Sequence, residues 1–123
     1  MTSSASNVKR AQKESLLLRE ISQLFLRASV DDPKLQAVSL TRVTLSPDKG
    51  LCTVYFYAPQ GKDYFTKEFL PLLMQYRSSL RTALAKGIRS RYTPELVFTF
   101  DSQIEKQLRV EELIEQVKEQ DTE

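Results

Sequence analysis

Hydrophobic residues recur every three or four positions in three segments of the chain, and this spacing predicts amphipathic helices. The first segment runs from about Val8 to Ser29. The second spans residues 64–90, where Pro71 and the polar stretch 75–79 argue for two consecutive helices separated by a break. The third begins at about Val110 and predicts a short C-terminal helix.

Three shorter segments alternate between apolar and polar residues, which is the period of a β-strand. Residues 51–58 alternate throughout, and residues 96–100 do the same in a third strand that ends at Asp101. Residues 37–45 change phase at Arg42. That change leaves two interpretations open, a β-bulge or a strand buried on both faces.

The residues between the first two strands have the composition of a hairpin turn. Pro47 suits the first central position of a type I turn, and Gly50 is expected to take a left-handed conformation. In the second strand, the alternation places Tyr55 and Tyr57 on the outward face. Two roles stay open for these tyrosines, stacking on unpaired bases or packing across the strands. The core face holds Cys52, Val54, Phe56 and Ala58.

In chain order the elements are α-β-β-α-α-β, followed by the C-terminal helix. Three strands covered on one side by helices make an α+β two-layer sandwich, and 123 residues are the usual size of a single domain. This order is similar to that of the type II K-homology fold, a module that binds single-stranded nucleic acid.

Composition argues against several kinds of chemistry. The chain has no His and one Cys, so it lacks the usual general base at neutral pH, the commonest metal ligand and any internal disulfide. It also has no Gly-rich phosphate loop and no nucleophile elbow. We therefore expect no catalytic residues, no metal and no cofactor. Because no apolar run has the length of a membrane span or the form of a signal peptide, we expect a cytoplasmic protein without membrane association.

Charge is distributed unevenly along the chain. Residues 1–100 carry 15 Lys and Arg against 8 Asp and Glu, whereas residues 101–123 carry 3 against 8. The stretch 69–94 has no acid and five bases, Arg77, Arg81, Lys86, Arg89 and Arg91. A second basic cluster, on the first helix, consists of Lys9, Arg10 and Lys13. All eight are candidate RNA-binding residues, because cationic side chains bind phosphates, and the alternative is an ordinary solvated helix surface.

Several short strings add a family resemblance. They are Asp32-Pro33-Lys34-Leu35, Ser46-x-Asp48, Val54-Tyr55, Leu80-Arg81 and Arg89-x-Arg91-x-x-Pro94-Glu95-Leu96-x-Phe98-x-x-Asp101. In this order and spacing they resemble the bacterial ribosome-binding factor A family over residues 8–117. The last string is the most specific.

Members of that family look like K-homology domains that have lost the Gly-x-x-Gly loop and have an Ala-x-Gly kink between the paired helices. This chain departs from the pattern twice. The kink position falls on Tyr76-Arg77-Ser78, so a break is expected there or near Pro71, and Gln107 stands where the family usually has Gly. The implied parts are a disordered N-terminus (1–7), a K-homology-like rRNA-binding domain (8–109) and an acidic C-terminal helix and tail (110–123).

The resemblance implies a ribosome assembly factor. Such a protein would bind free small (30S) ribosomal subunits and 16S rRNA, and would assist late maturation and rRNA processing without catalysis. We expect a monomer with no small-molecule substrate. The alternatives are a general single-stranded RNA-binding module without a ribosomal role, a protein–protein adaptor, and a small transferase with a carboxylate-based site.

Overall fold

Three strands and four helices make up the described part of the chain, which is residues 3–88 and 92–121 of a computed structural model. The elements in order are α1 (Ser3–Asp31), a 3-10 turn (Pro33–Ala37), β1 (Ser39–Leu45), β2 (Leu51–Tyr57), α2 (Lys62–Tyr64), a π-helical segment (Phe65–Phe69), α3 (Leu70–Ile88), β3 (Glu95–Phe100) and α4 (Ser102–Asp121). The predicted order of helices and strands is confirmed, as is the α+β class.

The sheet has the order β1-β2-β3, with β2 in the centre. β1 pairs with β2 antiparallel, whereas β3 pairs with β2 parallel, from Leu51 opposite Glu95 to Phe56 opposite Phe100. A parallel pair requires a crossover connection, and the helical segment 62–88 supplies it. α1 and α3 pack on each other and contribute to one hydrophobic core with the sheet.

Phe56 lies at the centre of the core. The centroid of its ring is 5.4 Å from that of Phe25, 6.0 Å from Phe65, 6.3 Å from Phe69 and 5.9 Å from Phe98, so α1, the crossover and β3 all meet on it. The core face predicted for β2 is confirmed, because all four of its residues are buried. The tilted and edge contacts among these rings add to the stabilisation from buried area.

The phase change in β1 is a β-bulge. Leu40 lies opposite Phe56 and Arg42 lies opposite Tyr55, so Thr41 is the extra residue that has no partner in the register. Thr41 and Arg42 both reach the same buried carboxylate, since Thr41 Oγ1 donates to Asp101 Oδ2 at 2.6 Å and Arg42 Nε donates to it at 3.1 Å.

Asp101 also joins the sheet to α4. Its backbone amide donates to the carbonyl of Phe56 at 2.7 Å, and its Oδ1 accepts a hydrogen bond from the amide of Ile104 at 3.1 Å. The second bond caps the N-terminus of α4. Desolvation acts to raise the pKa of this carboxyl, but the hydrogen bonds from Thr41, Arg42 and Ile104 outweigh it and hold the pKa below its usual range.

Of the two positions open for a break, Tyr76–Ser78 is wrong, because α3 is a continuous helix from Leu70 to Ile88. The irregularity lies near Pro71, in the π-helical segment 65–69, where the amide of Leu70 bonds to the carbonyl of Phe65. Proline has no amide hydrogen, and its ring collides with the carbonyl four residues earlier in an α-helix. A wider turn just before Pro71 relieves this collision.

The C-terminal helix is longer than expected. α4 begins at Ser102 and continues through Gln107 to Asp121, whereas the sequence pattern predicted a short helix from about Val110. Gln is a good helix former and Gly costs about 1 kcal/mol in a helix interior, so Gln107 favours an uninterrupted helix. The N-terminal boundary also differs, because α1 already begins at Ser3.

The hairpin turn places the left-handed conformation one residue earlier than predicted. Lys49 has φ 62°, and Gly50 has no positive φ. The backbone of Gly50 instead donates to Asp48 Oδ1 at 3.0 Å and accepts from the amide of Glu95 at 3.0 Å. Gly50 therefore continues β2 toward its parallel partner.

Leu84 tests the phase of α3. The side chain is fully buried, so Leu84→Ala should lower the free energy of unfolding by about 2–5 kcal/mol through lost burial and a cavity. Met74 lies on the same helix and is exposed, so Met74→Ala should change it by no more than about 0.5 kcal/mol. Urea unfolding measures both, and similar losses would contradict the assigned face.

Asp101 predicts an acid-sensitive contribution to stability. Because its pKa is lowered by folding, the contribution is complete above the unfolded value near 3.9 and is lost as pH falls through the folded pKa. Asp101→Asn should cost about 1–3 kcal/mol at pH 7, and the difference from the parent should shrink below about pH 4. Urea unfolding at several pH values checks this. Asp63 is exposed, so Asp63→Asn serves as the control. A difference independent of pH would contradict the assignment.

Candidate nucleic-acid interface

The C-terminal half of α3 and the segment leading into β3 form the walls of an open groove of about 870 Å³. Helical spacing places Arg77 and Arg81 on one face, while Leu80 and Leu84 lie buried in the core. The groove thus brings together three of the predicted RNA-binding residues. Its lining comprises Arg77, Ser78, Arg81, Thr82, Ala85, Lys86, Tyr92, Thr93 and Glu95.

Arg81 holds the segment before β3 in place. Its Nε donates to the carbonyl of Pro94 at 3.3 Å, and its Nη2 donates to the carbonyl of Thr93 at 3.0 Å. The same Nη2 lies 3.3 Å from Glu95 Oε1. Nε and Nη2 are both engaged by the protein, and Nη1 makes none of these contacts. A phosphate could therefore bind Nε and Nη2 together, in a bidentate pair of hydrogen bonds, only by displacing bonds within the protein.

Arg77 is bound more lightly. Its Nη2 is 3.4 Å from Glu95 Oε2, so the two arginines share one carboxylate. The side chain of Glu95 is 52% exposed. Lys86 is exposed, and the Tyr92 side chain is 71% exposed at the rim of the groove. The groove is therefore basic but partly neutralised.

Of the basic cluster on α1, Lys13 lies close to the end of α3. Lys13 lines a smaller cleft, of about 330 Å³, that also contains Ile88. Lys9 is exposed, and Arg10 donates from Nη2 to Asn7 Oδ1 at 3.3 Å.

Gly87 of α3 lies beside the Glu20 side chain of α1. A Cβ at this position would lie 2.8 Å from Glu20 Oε2, so a larger residue would force the Glu20 side chain aside. Arg89 and Arg91 lie outside the described residues. In the chain they fall between Ile88 of the cleft and Tyr92 of the groove.

The two tyrosines of β2 pack within the protein. The guanidinium carbon of Arg42 lies 3.7 Å from the centroid of the Tyr55 ring, a cation–π contact that covers one face of the ring. Tyr57 stacks on Phe100 with 6.0 Å between ring centroids. The packing alternative is thus favoured over base stacking for both residues.

Sequence reasoning missed Glu95 as part of the site. It is the first acid after the acid-free stretch 69–94, and it lies in the Pro94-Glu95-Leu96 string. These two facts were the available signals. That its carboxylate meets Arg77 and Arg81 depends on the packing of α3 against the start of β3.

Other kinds of site have little support. No group of three potential metal ligands occurs within residues 3–88 and 92–121. No helix in this part of the chain combines the length and apolarity needed to cross a membrane. Cys52 is fully buried, and burial together with the charge of Glu14 raises its pKa to about 11. The thiol therefore stays protonated at neutral pH.

These features define a K-homology-like α+β domain with a basic groove beside its crossover helix. The sequence has no Gly-x-x-Gly loop. The sequence model of the family described as Ribosome-binding factor A matches residues 9–114. The chain therefore belongs to the ribosome-binding factor A family, and the resemblance found in the sequence is confirmed.

Relatives and solved structures agree with this assignment. The ribosome-binding factor A of Heliobacterium modesticaldum is 37% identical over 103 residues, covering 84% of each chain. The crystal structure of the Thermus thermophilus protein superposes with a TM-score of 0.61 at 27% identity, covering 74% of this chain and 93% of that one. A homology model of the Thermus thermophilus protein, fitted into a cryo-EM map of its complex with the 30S subunit, gives a TM-score of 0.54 at 28% identity, covering 69% and 87%.

Replacing the two groove arginines should separate structure from charge. Arg81→Gln removes a charged donor from two backbone carbonyls and should lower the free energy of unfolding by roughly 1–2 kcal/mol. Arg77→Gln removes the same charge but only an exposed ion pair, so it should cost less than about 0.5 kcal/mol. Urea unfolding compares them directly. Equal losses would show that the carbonyl contacts of Arg81 do not stabilise the fold.

Proposed function

We propose that this chain is an assembly factor of the small ribosomal subunit. It binds free 30S subunits during late maturation, assists 16S rRNA processing and leaves before translation. Membership of the ribosome-binding factor A family carries this proposal, because a relative of the same fold forms a complex with the 30S subunit.

The groove on α3 supplies the RNA contacts in this proposal. Arg77 and Lys86 bind phosphates of the rRNA backbone, and Arg81 holds the groove wall as a positioning residue. Arg89 and Arg91, which follow α3 in the sequence and lie outside the described residues, are further candidates for phosphate contacts. Further contacts come from α1, through Lys9, Arg10 and Lys13. Lys13 lines the cleft that contains Ile88, the last residue of α3. Each neutralised phosphate releases counterions, so binding weakens as salt increases.

Binding alone provides the mechanism, without catalysis or cofactor. A protein that binds two arrangements of an rRNA element with different affinities shifts the equilibrium toward the one it binds better. The protein acts as a cytoplasmic monomer in this proposal. Residues 8–109 form the rRNA-binding domain. The acidic segment 110–123, which includes the C-terminal part of α4, keeps RNA off that end through like-charge repulsion.

Sedimentation in a sucrose gradient tests the proposed function. In a cell extract, the protein should migrate with free small subunits and be absent from translating ribosomes. Protein that stays at the top of the gradient at low salt, yet binds free RNA, would instead favour a general single-stranded RNA-binding module.

A double variant tests the proposed groove contacts. Arg77→Gln with Lys86→Gln should reduce co-sedimentation with purified 30S subunits, and the slope of log affinity against log salt should fall by roughly 1.5 for two lost phosphates. Lys62→Gln with Lys67→Gln removes the same charge from exposed positions at the other end of the crossover. The control pair should bind like the parent, and an equal loss in both pairs would contradict a specific groove.

A further inference from the structure

A carboxylate in the lining of a groove for RNA backbone is unexpected. Both oxygens of Glu95 face cations, with Oε2 3.4 Å from Arg77 Nη2 and Oε1 3.3 Å from Arg81 Nη2. A phosphate presents two anionic oxygens with similar spacing, so it would seek the same donors. The carboxylate and a phosphate therefore compete for one position.

We propose that Glu95 is an internal competitor for RNA phosphate, and that it keeps the affinity of the groove for loose single-stranded RNA low. This inference rests on the proposed function and assigns a specificity-determining role to a residue with no RNA contact of its own.

The backbone of Glu95 keeps the competitor in place. Its amide donates to the carbonyl of Gly50 at 3.0 Å, and the residue pairs with Leu51 at the start of the parallel ladder. Arg81 fixes the preceding carbonyls of Thr93 and Pro94. Only the side chain of Glu95 can therefore move aside when a phosphate enters.

Arg77 is the cation that the competitor controls most directly. The structure shows one bond for its guanidinium, to Glu95, whereas Arg81 has two backbone carbonyls in addition. When Glu95 is neutralised, Arg77 loses this partner while Arg81 stays largely engaged. One additional phosphate contact should then form, at Arg77.

The two ion pairs of Glu95 are strong enough to weaken RNA binding by a modest factor, which matters most for complexes that are already weak. The ion pairs are exposed, with 38% and 43% of the two arginine side chains accessible, and such pairs are each worth a few-fold in equilibrium. A few-fold loss of affinity leaves a tight complex saturated, but it removes most of the bound fraction of a weak complex. Glu95 thus lowers occupancy on loose RNA more than on a subunit that offers many contacts.

Fluorescence anisotropy with a labelled oligouridylate of about 12 nucleotides tests the inference. Glu95→Gln keeps the shape of the side chain and should bind the RNA about three- to tenfold more tightly than the parent. Its salt slope should be steeper by about 0.7, the value for one more single-strand phosphate. Glu68→Gln removes the same charge from an exposed position on the crossover, about 13 Å along the helix from Arg77, and should stay within about twofold of the parent.

A double-mutant cycle separates competition from a general charge effect. Arg77→Gln should weaken binding of the oligonucleotide at least about threefold more in the Glu95→Gln background than in the parent, because in the parent Glu95 holds Arg77 back from the phosphates of this weakly bound RNA and moves aside only in the tighter 30S complex. Additive effects would overturn the inference. Glu95→Ser removes both ion pairs by another route and should reproduce the gain, so a gain confined to Glu95→Gln would also overturn it.

The outcome can be distinguished from that of the proposed function. If the parent co-sediments with 30S subunits but Glu95→Gln binds the oligonucleotide no better than Glu68→Gln, the competitor role fails and the assembly role stands. If no variant binds the oligonucleotide at low salt, the groove does not take RNA backbone and the inference fails as well. Co-sedimentation decides the assembly role independently.

Discussion

The parallel pairing of β2 with β3 is the constraint on which the rest of the structure depends. Two parallel neighbours cannot be joined by a short turn, so the chain must return across the sheet through the crossover 62–88. That return brings the C-terminal half of α3 next to the first residues of β3. The groove is formed at this junction, where Arg81 of the crossover bonds to the carbonyls of Thr93 and Pro94.

A second set of contacts fixes the opposite end of the sheet. The bulge in β1 places Thr41 and Arg42 around the buried carboxylate of Asp101, which also caps α4. Beyond this cap α4 has few contacts with the body, and its apolar side chains from Val110 to Val117 are half exposed. The acidic helix is thus attached at its first turn, away from the groove on α3.

The basic residues of the groove have different tasks despite their common charge. Arg81 uses most of its donors on the protein, whereas Arg77 has a single bond to Glu95 and Lys86 is exposed. The groove is therefore shaped by one arginine, and its charge is adjusted by one carboxylate. For an assembly factor that must leave the subunit, moderate affinity is an advantage, because tighter binding mostly lowers the dissociation rate and so would slow release.

Much of the fold was predictable from the sequence, because hydrophobic periodicity reports which face of an element is buried. Periodicity predicted the element order, the core face of β2 and the position of the hairpin. Local strings such as Pro94-Glu95-Leu96 indicated the family. Only the tertiary structure decided that α3 is continuous, that Lys49 takes the left-handed conformation and that Glu95 binds Arg77 and Arg81. Those outcomes depend on contacts between residues far apart in the chain, or on small differences between local conformations. Periodicity within one element carries no information about either.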